Sequence, residues 1–236
     1  MTQFSDSEKK ENKSLSIPAR FISFEGIDGC GKSTLMEHLC RWLEDAGVPW
    51  LRTREPGGTP IGEKIRRLLL DPSSAEMSAR AEVLLYSASR AQLAEEVIAP
   101  ALKRGNWVLT DRFVDATFAY QGFGRGFDLR GLRGIQEWTL GGLWPDRTIL
   151  LDCAIETALE RMGARNGEKD RIERENLEFH KKVREGYLSL AEAEPDRFLV
   201  LNAEKSLDRV IEEFHTKFWL PEVGRAEAGQ VPARME

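Results

Sequence analysis

The segment Gly26-Ile27-Asp28-Gly29-Cys30-Gly31-Lys32-Ser33 fits the spacing G-x-x-x-x-G-K-[ST]. Glycines at these places let successive backbone N–H groups turn inward onto phosphate oxygens. A lysine such as Lys32 reaches the β- and γ-phosphates, and a hydroxyl such as Ser33 can ligate Mg²⁺. Thr34 follows in the first turn of the helix that the motif opens, whose N-terminus adds partial positive charge. A glycine-rich turn can exist for close packing alone, but packing gives no reason for Lys-Ser at this register. The segment therefore predicts a nucleoside triphosphate site, without choosing among GTPases, ATPases and kinases.

Three further groupings bear on that choice. Arg54-Glu55-Pro56-Gly57-Gly58-Thr59 reads alone as a turn, but it follows a predicted strand, where open α/β sheets bind ligands. Asp111-Arg112 ends another predicted strand and supplies an acid for a Mg²⁺ shell, with Ser33, and a guanidinium for a phosphate. Its plainer reading is a structural ion pair. Tyr86 and Arg90 stand four apart on a predicted helix, so a ring that stacks on a base and a cation for a monophosphate share a face. Their plainer reading is a core tyrosine and a surface arginine. Between Glu160 and Glu175 both signs of charge are dense and Gly163 and Gly167 interrupt the run, which suits a mobile surface loop or a merely solvated stretch.

These groups need a scaffold that brings strand ends together. Short apolar runs at Arg20–Glu25, Trp50–Thr53, Trp107–Thr110, Arg147–Leu151 and Phe198–Asn202 alternate with helical patterns. The helices fall at Leu35–Ala46, Pro60–Leu70, Ser78–Ala99, Leu129–Leu140, Ile155–Met162, Asn176–Ala193 and Leu207–Phe218. Such alternation predicts a parallel sheet with helices on both faces. The chain has 236 residues, enough for one substantial α/β domain. Residues 1–19 and 221–236 are polar or rich in Pro and Gly and read as loose tails around a domain of residues 20–220. The three cysteines are widely spaced, which suits neither a disulfide framework nor a metal site and points to the cytoplasm. A net charge of −5 argues against nucleic acid, and no stretch is apolar enough for a membrane span.

FEGIDGCGKST, TREPGGTPIGEKIR, LLYSASRAQL, DRFVDATFAYQGFGRG, PDRTILLD and DRIERENLEFHKKVREGYL together resemble the thymidylate kinase family, in its usual order from about Arg20 to Trp219. TREPGG followed by DR-x5-AYQG is far more specific than the glycine-rich loop alone. The resemblance implies an α/β three-layer P-loop NTPase fold, with a five-stranded parallel sheet flanked by helices and a mobile lid at about 163–170. It implies ATP-dependent phosphorylation of dTMP to dTDP, in dTTP synthesis, with Mg²⁺ and as a homodimer whose interface includes the Ser78–Ala99 helix.

By the same resemblance the dTMP pocket comprises Asp28, Glu55, Arg66, Tyr86, Arg90, Arg112, Thr117, Tyr120 and Gln121. Arg90 and Arg112 would hold the 5′-phosphate, Tyr86 would stack on thymine, Asp28 would accept from the sugar 3′-OH and Tyr120 would crowd the 2′ position. Ala116 departs from the serine common in similar members, which passes pyrimidine contacts to Thr117. Lys32, Asp111 and Arg112 would serve catalysis. Arg161 would lie beside adenine, and Arg165, with Arg171 as the alternative, would be the catalytic lid arginine. Competing readings are another nucleoside monophosphate kinase, or a P-loop module that binds nucleotide without a small acceptor. The absence of an N-K-x-D motif and the arginines on the acceptor side argue against the second.

Overall fold

A strand that is apolar at successive positions has to be covered on both faces, and the inner strands are of that kind. β1 (Phe21–Glu25) is buried throughout, and β3 (Trp107–Asp111) and β4 (Arg147–Asp152) are buried except at their ends. β2 (Trp50–Arg54) and β5 (Phe198–Asn202) are partly open to solvent. They form the edges of one five-stranded sheet in the order β2-β3-β1-β4-β5, parallel at every pairing. The structure, a computed structural model, describes residues 18–163 and 169–227. The expected sheet is thus present. Because all strands run the same way, Glu25, Arg54, Asp111, Asp152 and Asn202 end at one rim.

The crossovers are helical. α1 (Lys32–Asp45) begins directly at the glycine-rich loop, and α2 (Pro60–Leu70) begins at Thr59, whose side chain accepts from the Gly62 N–H. α3 (Ala79–Leu93) runs through a wide π turn (Ala94–Ile98) into α4 (Ala99–Lys103), so the helix predicted for Ser78–Ala99 extends further. The wide turn precedes Pro100, which has no N–H to give a regular ladder. α5 (Val114–Thr117) and a second π turn (Phe118–Gly124) occupy a stretch with no predicted helix. α6 (Leu129–Leu140), α7 (Ile155–Gly163), α8 (Leu177–Ala193) and α9 (Leu207–Phe214) match their predicted places closely.

The expectation of a loose tail from Pro221 is overturned as far as Glu227. After a π turn (His215–Trp219) the chain continues as α10 (Leu220–Glu227). Pro221 falls in its first turn, where a missing N–H costs little. Two contacts hold this extension. Trp219 sits 6.0 Å from Trp42 and 6.3 Å from Trp107, ring to ring, and Glu222 accepts from Arg20 Nε at 2.9 Å in a buried pair. A tryptophan so buried contributes about 2–3 kcal/mol. The remaining tail residues 228–236, residues 1–17 and the lid residues 164–168 lie outside the described residues.

Candidate active site

The glycine-rich loop joins β1 to α1 as the motif requires. Gly26 has φ 127°, and a Cβ there would lie 2.4 Å from the Leu151 carbonyl oxygen of β4. Gly29 has φ 85° and would meet the Ala158 carbonyl equally closely. Only glycine suits both places. Lys32 is buried and its Nζ donates to the Gly26 and Ile27 carbonyls, 3.0 Å each, so its ammonium is held against the loop. Cys30 and Ile27 are buried beneath it, while Ser33 and Thr34 are exposed at the start of α1.

Beside the loop, at the ends of β1, β2 and β3, opens a cleft. Asp28, Glu55, Arg66, Tyr86, Arg112, Thr117, Tyr120 and Gln121 all line it, so the cleft brings these residues together. Pro56, Leu70, Ala116, Asp170 and Ile172 complete the wall.

Arg112 is the pivot. Its φ of 66° is left-handed, a strained conformation for a residue with a side chain. Three bonds hold it there: Arg112 N–H to the Phe24 carbonyl at 3.0 Å, Thr110 Oγ1 to the Arg112 carbonyl at 2.8 Å, and Phe113 N–H to Glu25 Oε1 at 2.7 Å. The turn aims the guanidinium at Asp28, with Nη2 donating to Oδ1 at 2.9 Å, and places it 5.8 Å from the Tyr120 ring centre. Burial alone would raise the Asp28 pKa, but Arg112 and then Lys32 hold it well below the usual carboxylate range. Arg66 reaches in from α2 and donates to the Pro56 carbonyl at 2.8 Å. Burial, and then the like charge of Arg54, lower its pKa. An anion between Arg66 and Arg112 would favour the charged form of Arg66.

Arg90 is where the structure departs most from expectation. It does not line the cleft; it is wholly buried behind it. Its guanidinium is bound by both Glu55 oxygens, Gln136 Oε1, the Phe113 carbonyl and Thr117 Oγ1. Buried there, Arg90 braces Glu55 and Thr117 from behind. Burial raises the Glu55 pKa, and Arg90 opposes that shift.

Arg171 is likewise reassigned. Its N–H and Nε bind the Leu70 and Leu69 carbonyls, and Nη1 pairs with Glu82 at 2.7 Å. This ties it to the end of α2 as part of the cleft's frame, while its Nη2 is buried without a hydrogen-bond partner. Arg165 lies outside the described residues. Arg161, expected beside an adenine, is on α7 and donates to the Ala203 carbonyl of the β5–α9 connection at 3.0 Å.

Two residues at the site escaped the sequence. Glu25 accepts from Ser23 Oγ and Phe113 N–H on one oxygen and from Tyr187 Oη on the other, joining β1, the Arg112 turn and α8. Glu82 gathers Gln121, Arg125 and Arg171. Each is an acid in a strand or helix pattern, and nothing in its spacing marks it. The Asp111 Oδ1 atom is buried without a hydrogen-bond donor and stands 3.7 Å from Arg112 Nη1, the ion pair of its plainer reading, while its partly open side chain could also take a hydrated cation. Ser33 is exposed across the rim. The donor set is hard oxygen and fits Mg²⁺.

A phosphate-binding loop and an arginine-lined acceptor cleft at one rim of a parallel sheet define a P-loop kinase of small nucleotides. Residues 24–214 match the family model for thymidylate kinase. The chain is 51% identical over 191 residues to the thymidylate kinase of Symbiobacterium thermophilum, covering 80% of this chain and 88% of that one. It is 48% identical to that of Halothermothrix orenii, covering 84% and 95%, and 50% identical to that of Chromohalobacter salexigens, covering 82% and 92%. The chain belongs to the thymidylate kinase family, and its activity is the ATP-dependent phosphorylation of dTMP.

Proposed function

We propose that the P-loop holds the ATP phosphates while the cleft holds dTMP, with Arg66 and Arg112 on its 5′-phosphate and Tyr86, Thr117 and Gln121 about its base. The observation that carries this reading is that the Asp28–Arg112 pair lines the same cleft as Tyr86 and Gln121. Asp28 is ionised and suited to accept from a sugar hydroxyl, and Tyr120 sits against Arg112, where it would crowd a 2′ substituent. The acceptor phosphate is already anionic, so no enzyme nucleophile is needed, and catalysis is in-line positioning with charge stabilisation. Lys32 moves from its own loop carbonyls to the phosphates, and Arg165 is the arginine assigned to the transferring group. Ser33 and Asp111 would hold Mg²⁺, which neutralises phosphate charge when bound.

Leu84 on α3 is 60% exposed and Trp138 on α6 is 87% exposed, and large apolar side chains left in the open support a homodimer. The buried, unpaired cysteines support a reducing cytoplasm. Among the described residues no helix is long and apolar enough to cross a membrane.

The test is ADP release with ATP-Mg²⁺ and each deoxynucleoside monophosphate, beside Lys32→Ala. Turnover that prefers dTMP and is lost in Lys32→Ala is expected. Preference for another monophosphate would overturn the pocket, and turnover independent of any acceptor would overturn the kinase reading.

A further inference from the structure

Gln121 lines the cleft although the residue is only 2% exposed. Its Nε2 donates to Glu82 Oε1 at 2.9 Å. Glu82 stands one turn before Tyr86 on α3 and is itself 1% exposed. Its other partners are arginines. Arg125 gives Nε to Oε1 at 3.2 Å and Nη2 to Oε2 at 3.1 Å, and Arg171 gives Nη1 to Oε2 at 2.7 Å. Burial pushes the Glu82 carboxyl up, but the bonds from Arg125 and Gln121 outweigh it and leave the group more acidic than usual.

An ionised carboxylate accepts and never donates. It therefore admits one orientation of the Gln121 amide: the NH₂ turns toward Glu82, and the carbonyl oxygen is the polar atom left for the cleft. We infer that Glu82 is a specificity-determining positioning residue, which fixes the Gln121 amide so that a hydrogen-bond acceptor faces the nucleotide base. A ring with an N–H at that point is selected. Thymine and uracil carry N3–H, whereas cytosine carries a lone pair at N3, which an amide oxygen repels. The inference rests on the proposed seating of the base at this wall. It adds a source of discrimination that lies outside the cleft lining, held by the two arginines that clamp Glu82.

Glu82→Gln tests it. A neutral amide at 82 can donate or accept, so the Gln121 amide is freed to turn over and present its NH₂ to N3 of cytosine. kcat/KM is measured for the parent, Glu82→Gln, Glu82→Asp and Gln121→Leu with dTMP, dUMP and dCMP. Hydrogen-bonding sites discriminate strongly, so the dTMP:dCMP ratio should fall at least about 10-fold in Glu82→Gln. The dTMP:dUMP ratio should stay within about 2-fold, because both rings keep N3–H. Glu82→Asp should restore the parental ratios. An unchanged dTMP:dCMP ratio, or equal loss of both ratios as in general loosening of the pocket, overturns the inference. Should Glu82→Gln not fold, Gln121→Leu decides: it keeps Glu82 and should lose the dCMP discrimination, and its retention overturns the inference equally. Failure of the parent to use dTMP would instead sink the functional reading beneath it.

Discussion

Replacing Arg90 by methionine keeps an apolar stem of similar length and removes the guanidinium. Arg90 is wholly buried, and its loss strands the Glu55 carboxylate, 4% exposed, together with Gln136 Oε1 and Thr117 Oγ1. Breaking a buried ion pair by deleting one partner costs about 3–5 kcal/mol, because the remaining charge is uncompensated. In a domain of this size 1 kcal/mol moves Tm by roughly 2–4 °C, so the variant should melt about 6–20 °C lower. Glu55 already has a raised pKa with Arg90 present, and without it the shift grows. A raised carboxyl pKa contributes stability at low pH that is lost as pH rises, so the deficit of Arg90→Met should be smallest near pH 5 and grow toward pH 8. The double variant Arg90→Met/Glu55→Gln should recover much of the loss. Urea melts at both pH values, with far-UV circular dichroism, measure all four states of the cycle. A single variant that loses less than about 1 kcal/mol, or a double variant no better than it, would refute the bracing role. An unaltered Tm with a raised KM for the acceptor alone would return Arg90 to the phosphate.

Glu25 gives a pH prediction of its own. Burial, and then the Asp115 charge, push its carboxyl from 4.5 up to about 8. The folded state thus keeps a proton that the unfolded chain releases, and this stability is full below pH 4.5 and lost as pH rises toward 8. Glu25→Gln has no proton to lose, so it should gain on the parent by on the order of 3 kcal/mol between pH 5 and pH 8 in paired melts, whereas a flat difference would count against the assignment. At Gly186 on α8 a Cβ would stand 2.7 Å from the Phe123 ring. Gly186→Ala should cost about 1–3 kcal/mol through overpacking and displace the π turn that carries Tyr120 and Gln121. Its KM for dTMP should rise while its KM for ATP holds; equal changes in both would argue that the strain spreads to the P-loop.

The strands were legible because inner strands of a parallel sheet are short apolar runs, and the P-loop was legible because its spacing is dictated by phosphate geometry. The π turn at Phe118–Gly124 was not, since residues Phe118 to Gly122 are buried on all sides and leave no polar face to set a period. α10 was hidden by Pro221 and Gly224, whose usual meaning is a loop; a buried pair with Arg20 overrides it. At the site, helical spacing correctly placed Tyr86 and Arg90 on one side of α3 but said nothing about depth. Four residues carry an arginine one turn deeper, into a partner 35 residues back in sequence. Arg171 shows the same limit in a charge run, where a buried brace and a solvated cation look alike. Carboxylates that work by accepting from a distant element, such as Glu82, have no signature until the chain is folded.

The Arg20–Glu222 pair joins positions 202 apart in sequence, just before the central strand and on the tenth helix. β1 also needs β3 and β4 as neighbours, and those strands come late relative to it. The phosphate loop is thus among the first functional segments to be synthesised and rests on some of the last contacts to form. A nascent chain carries the motif long before it carries the β4 neighbour and the Arg20–Glu222 pair. Fragments that end within α9 would hold every residue of the glycine-rich motif and little of the clamp that secures the strand before it.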